Sequence, residues 1–246
     1  MDKITILNGC TIDGNTVKLP PIQLERELYL EVSKAINLIG GKWKGGKVSG
    51  FVFMEDPTEL MASIRNGNKK NLKKEYQFFA TPPDLARKMV ELAQIEEYDL
   101  ILEPSAGQGA IIKAIQQKTN SLVHYCELME LNRSFLSKIP NTVFLKDNFL
   151  LLNTPTLFHK IIANPPFSNN QDIKHVLHMW KTLVPGGTII TITSRHWEFS
   201  NNKQETTFRE FIRTNNAKIE LLPSNTFKES GTSIETNLIV INKPLN

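Results

Sequence analysis

From residue 76 onward the sequence predicts an α/β domain, with a doubly wound, mostly parallel sheet and helices on both faces. Three observations predict it. Short apolar runs alternate with segments of helical period. The run that reaches Leu102 passes straight into Glu103-Pro104-Ser105-Ala106-Gly107-Gln108-Gly109-Ala110, where two glycines permit a tight strand-to-helix turn. The run 158–163 is stopped by Asn164-Pro165-Pro166, because proline removes ladder donors and clashes with a helix. Asn164 therefore stands on a strand's carboxyl edge, where open α/β sheets bind ligands.

Ahead of that domain, residues 1 to about 75 predict a small α+β extension. Residues 4–7 and 17–19 flank Asp13-Gly14-Asn15 and predict a short hairpin that Pro20-Pro21 ends. Leu24, Leu28, Val32, Ala35, Ile36 and Ile39 recur at helical spacing up to Gly40-Gly41. Residues 42–44 and 48–53 lie either side of Gly45-Gly46 and predict a second hairpin, with Lys42, Lys44 and Lys47 around its tip. A short helix over 57–64 precedes a polar, basic linker that starts at Arg65 and runs to Lys74. The lysines and Arg65 are candidates for holding a nucleic-acid backbone by charge and counterion release; a solvated loop has the same composition.

In the second region Thr81 suits a helix N-cap, with Pro82 in the first turn of a helix over 84–93. Strands are predicted at 98–102, 122–126, 143–145, 158–163, 188–193 and 236–242, with a helix over 111–117 after the glycine turn. A dinucleotide fingerprint would need a third glycine at position 112, where Ile112 stands. The turn suits a smaller nucleoside ligand instead. Glu127 ends the second strand, about 20 residues past Gly107, where a carboxylate accepts ribose hydroxyls. Asp147 follows the third strand, placed to accept from an adenine amino group.

Composition narrows the class without naming it. The chain has 246 residues and a formal charge of +4, with no run apolar enough to span a bilayer and no signal peptide at Met1, so a cytoplasmic location is expected. Two cysteines, Cys10 and Cys126, make no framework. His175 and His178 lie three apart on a predicted helix with no further ligands near in sequence, so no metal is expected.

The residues at the end of the fourth strand suit chemistry on a planar amine. The lone pair of such an NH2 is delocalised, which makes the nitrogen a poor nucleophile. The Asn164 side-chain oxygen and the Pro165 carbonyl can each accept one N–H, drawing the nitrogen toward tetrahedral geometry. Pro165 brings no competing donor and a fixed φ, and Phe167 offers a flat face for stacking. A plain turn has the same residues. Ser194-Arg195-His196-Trp197 follows the fifth strand on the same edge, making Arg195 and Trp197 candidates for substrate contact; packing of the loop by Trp197 is the alternative.

Together these motifs resemble the S-adenosylmethionine-dependent methyltransferases of the class I, Rossmann-like fold, over residues 78–243. Residues 102–110 resemble that family's first cofactor motif, Glu127 its second and Asp147 its third, with Asn148 where an aromatic is usual before Phe149. Asn164-Pro165-Pro166-Phe167 resembles the signature of amino methyltransferases, chiefly adenine-N6 DNA enzymes. The resemblance implies a seven-stranded sheet, S-adenosylmethionine as cofactor and DNA as partner, with RNA bases or protein glutamine as alternative substrates. It implies that Phe79-Ala80-Thr81-Pro82-Pro83 holds the methionine end of the cofactor, and that Phe227 stacks on the target base opposite Phe167, against the plain reading of a core Phe. Larger relatives carry a target-recognition domain after the last strand; here target reading is expected from loops or the amino-terminal part. The size resembles solitary enzymes of phages and mobile elements, acting as a monomer or weak dimer. A non-catalytic DNA-binding or anti-restriction protein on a decayed methyltransferase fold is the alternative of another class.

Overall fold

The computed structural model describes residues 1–53, 56–66, 80–227 and 235–245. They fall into two compact units, Met1–Phe78 and Phe79–Asn246.

In the first unit, helix α1 (Lys3–Gly9), strands β1 (Thr11–Asp13) and β2 (Thr16–Lys18), helix α2 (Arg26–Leu38), strands β3 (Lys42–Lys44) and β4 (Gly50–Val52) and helix α3 (Thr58–Arg65) follow in order. The strands form an antiparallel sheet in the order β1-β2-β4-β3. Residues 4–7 are helical rather than the first arm of the hairpin. Asp2 caps them by accepting from the Thr5 amide at 2.8 Å, and the adjacent Ile6 and Leu7 are both buried. The arm is β1, turned at Gly14 with φ 57°. Arg65 is engaged within the unit: its Nε donates to the Leu7 carbonyl at 2.9 Å and an Nη to the Cys10 carbonyl at 2.8 Å, at the carboxyl end of α1.

The second unit contains helix α4 (Pro83–Ala93), strand β5 (Ile101–Glu103), helix α5 (Ala110–Lys118), strand β6 (Val123–Cys126), helix α6 (Glu130–Leu136) and strand β7 (Thr142–Lys146). After a 3-10 turn at Phe149–Leu151 come β8 (Phe158–Ala163), α7 (Gln171–Thr182), β9 (Leu183–Ser194), α8 (His196–Phe199), α9 (Lys203–Thr214), β10 (Lys218–Leu221) and β11 (Thr236–Asn242). The sheet has seven strands in the order β10-β11-β9-β8-β5-β6-β7, parallel except where β11 pairs with its two neighbours.

Alternation along the strands splits the core into two layers. Ile101, Tyr125, Ile162 and Ile190 face α4 and α5 through Met89, Val90, Ile112 and Ile115. Leu102, Cys126, Ile161 and Ile189 face α7 and α9 through Val176, Met179, Phe208 and Ile212. Helices thus cover both faces, as the sequence predicts. The first strand is shorter than the predicted 98–102, and Tyr98 is exposed. The fifth is longer, because Gly186 donates to the Lys243 carbonyl and Lys243 to that of Gly187, both at 2.9 Å, which carries the ladder back through the glycines. No helix among the described residues is long and apolar enough to cross a membrane.

Candidate active site

Strand β8 pairs in parallel with β5, so its end at Asn164 adjoins the turn that β5 enters. Asn164 is half-buried, and its Nδ2 donates to the Thr81 Oγ1 at 3.1 Å. Thr81 is therefore not the N-cap of α4. Pro82 takes that place in an extended conformation (φ −56°, ψ 142°), and Pro83 at the first helical position has no N–H to cap. The hydroxyl is spent on Asn164 instead. Pro165 is buried, Pro166 half-buried, and Phe167 is 9% exposed among the core residues of the α4–α5 face.

The turn after β5 is held from the neighbouring strand. The Ala106 amide donates to the Cys126 carbonyl at 3.0 Å, and the Gly107 amide to the Glu127 Oε2 at 2.7 Å. Gly107 and Gly109 take φ 55° and 81°, the left-handed region that a side chain disfavours. At Gly109 a Cβ would also come within 2.8 Å of Ile139 and 3.0 Å of Leu136. Pro104 is buried and Ser105 half-buried.

Three carboxylates line successive strand ends. Glu103, 2% exposed, accepts the Ile112 amide at 3.2 Å. Burial pushes its carboxyl well above the usual range, opposed by the Ile112 amide and reinforced by the charge of Glu127. Glu127 accepts from Gly107, from the Met129 amide at 2.8 Å and from the Asn132 Nδ2 at 3.1 Å. Burial raises its pKa too, against those donors and Arg133. Asp147 is exposed and accepts the Asn148 amide at 2.7 Å, while the Asn148 side chain caps the 3-10 turn by accepting from Leu150 at 3.0 Å.

The other candidates have partners or surroundings of their own. Trp197 is buried, donates to the Thr193 Oγ1 at 3.0 Å and packs edge-on against Phe208, so it is a core residue and not a surface for substrate. Arg195 pairs with Glu198 at 3.1 Å and Glu235 at 2.8 Å over the ring of Phe199. Phe227, 1% exposed, is buried in the same α4–α5 core cluster as Phe167. Phe149 is likewise buried, 4.7 Å from the ring of His178 and 5.6 Å from that of His175. Phe79 lies outside the described residues. Lys42 and Lys44 lie on β3 of the first unit and Lys47 in the turn after it.

Sequence reasoning missed three residues here. Asn132 is 1% exposed and holds Glu127; its place, five residues on at the start of a helix, is the one signal that could have found it. Leu128 is 54% exposed beside Glu127, an apolar side chain left open just after the end of β6. Asp172, 1% exposed, accepts from both the amide and hydroxyl of Ser194, at 2.9 and 2.8 Å, tying the start of α7 to the end of β9. Among the described residues no group of three or more His, Cys, Asp or Glu is arranged to hold a metal.

No protein-family model matches the chain. A protein of Methanopyrus kandleri assigned as ribosomal RNA small subunit methyltransferase A is 24% identical over 100 residues, 39% of this chain and 36% of that protein. Among solved structures, the type I restriction-modification methyltransferase subunit from Streptococcus thermophilus superposes with a TM-score of 0.56 at 19% identity, covering 76% of this chain and 50% of that one. The type I restriction enzyme EcoKI M protein gives 0.55 at 16% identity over 90% of this chain and 55% of its own. A Listeria monocytogenes protein assigned to the class I S-adenosylmethionine-dependent methyltransferases gives 0.55 at 15% identity, over 76% and 66%. The chain thus spans about half the length of the type I subunits it matches. Strand order, the two-layered core and these superpositions agree: the chain has the class I, Rossmann-like methyltransferase fold.

Proposed function

We propose that the protein transfers a methyl group from S-adenosylmethionine to the N6 amino group of an adenine turned out of the DNA stack. The observation that carries this is the adjacency of two sites on neighbouring parallel strands. Asn164-Pro165 ends β8, and the Glu103–Gly109 turn leaves β5 beside it.

The residues fit the cofactor by the chemistry of their donors and acceptors. In this reading Glu127 accepts ribose hydroxyls and Asp147 a purine amino group, with the exposed Leu128 following Glu127 as an apolar face. Glu103 and the glycine turn suit the amino-acid end. When bound, the cofactor supplies an electrophilic methyl group. The Asn164 oxygen and the Pro165 carbonyl accept the two N–H of the target amine and hold its lone pair toward the methyl group. Phe167 replaces part of the stacking that the base loses on leaving the duplex. The proton shed by the nitrogen leaves to solvent, so the site has no need of a strong base.

DNA as substrate is supported by the superposed type I restriction-modification subunits. An RNA base is the second reading, favoured by the ribosomal RNA methyltransferase relative. Methyl transfer from labelled cofactor to unmethylated genomic DNA, total RNA and a protein extract in parallel separates them. Label in DNA alone is the expected result; label in RNA or protein alone overturns the substrate.

A further inference from the structure

The loop that starts at Asn164 ends on an unusual stretch of backbone. Asn169 and Asn170 take φ 56° and 55°, and among the described residues they are the one consecutive pair of non-glycine residues in the left-handed region. Asparagine tolerates that region better than most residues, yet two in succession persist only where the surroundings hold them.

The hold comes from α9. The Asn170 Nδ2 donates to the Glu205 Oε1 at 3.0 Å and to the Gln204 Oε1 at 3.3 Å. An acid in the first turn of a helix is ordinarily exposed and complements the helix dipole. Glu205 is 1% exposed instead, and the same oxygen also faces the Asn202 Nδ2 at 3.4 Å and the His196 Nε2 at 3.3 Å. Burying a carboxylate is costly unless it is hydrogen-bonded, and here its donors come from the segments after β8 and β9, both on the strands' carboxyl edge. The loop is thus clamped at its two ends, by Thr81 on Asn164 and by Glu205 on Asn170, with Asp172 fixing the helix that follows.

We infer that Glu205 is a positioning residue: through Asn170 it sets the path of the loop that presents Asn164, Pro165 and Phe167 to the target base. The catalytic consequence rests on the methyl-transfer reading, whereas the clamp itself does not.

The test joins amide hydrogen exchange over residues 168–173 to single-turnover methyl transfer, in the full chain. Glu205→Ala and Asn170→Gly, the latter keeping the left-handed backbone while deleting the amide, should each speed exchange there by about tenfold. Each should slow transfer by a similar factor, with cofactor affinity and exchange in the glycine turn unchanged. The double variant should lose no more than the larger of the two single losses, and Glu205→Gln, which keeps an acceptor for Asn170, should stay close to wild type. Should Glu205→Ala fail to fold, Asn170→Gly removes the same bond from the other side and carries the comparison with Glu205→Gln. Unchanged exchange over 168–173, or losses that add in the double variant, would overturn the inference. Faster, coupled exchange in a protein whose wild type methylates no substrate would leave the clamp standing and refute the functional reading.

Discussion

The Asn164 Nδ2 lies 3.1 Å from the Thr81 Oγ1, across 83 residues of sequence. The bond orients the Asn164 amide at the end of β8, and it ties that strand end to the segment entering α4. Thr81→Val keeps the volume and deletes the hydroxyl. Turnover is expected to fall by about tenfold, the usual worth of one buried hydrogen bond. Wild-type turnover in steady-state assays would show that Asn164 is held by other means.

Glu127 braces Gly107 and, in the proposed function, also accepts the ribose hydroxyls. Glu127→Ala removes both, so cofactor affinity measured by calorimetry should fall by about a hundredfold or more. Asn132→Ala, which frees the carboxylate without removing it, should weaken binding in the same direction by about tenfold. Equal affinity in the two variants and the wild type would contradict this placement of the cofactor.

Glu103 gives a pH-dependent signature of stability. Its folded pKa is raised by burial, so the folded state binds the proton more tightly than the unfolded chain does, and stability falls as pH rises above the ordinary carboxylate range. Glu103→Gln keeps an acceptor for the Ile112 amide but cannot ionise. Thermal unfolding from pH 4 to 8 should show the variant more stable than wild type at neutral pH, the gap closing toward the acid end.

His175 acts in the opposite sense. Burial lowers its pKa to about 4. Protons bind the unfolded chain first, so the stability it allows is full above the ordinary histidine value and drains as pH falls from there to about 4. That drain is worth on the order of 3 kcal/mol. His175→Phe, beside Phe149, should flatten the curve across this window in denaturant titrations; an unchanged acid limb would place the loss on other groups.

Much of the fold was legible because strand ends carry breakers. Gly107, Gly109 and Pro165-Pro166 mark where β5 and β8 stop, and the alternation around them fixes the layers. Residues 4–7 misled for a local reason: four mostly apolar residues have no decisive period, and the cap at Asp2 settled them as helix. The site was legible where a motif is continuous. Asp172 and Glu205 were not, since each is a polar residue in a polar stretch whose partner, Ser194 for Asp172 and Asn170 for Glu205, lies far off in sequence; Asn132 pairs locally with Glu127, but no periodic pattern marks it. Trp197 shows the converse: of the two roles its position near that edge allows, substrate contact and packing, its burial and its bond to Thr193 fit packing.

The most direct measurement is single-turnover methyl transfer to unmethylated duplex DNA by the wild type and Asn164→Ala, with the methylated nucleoside identified by mass. The account predicts N6-methyladenine from the wild type and a rate lower by about a hundredfold or more in the variant, with cofactor affinity preserved. A different methylated product, or a variant that turns over like the wild type, would contradict it.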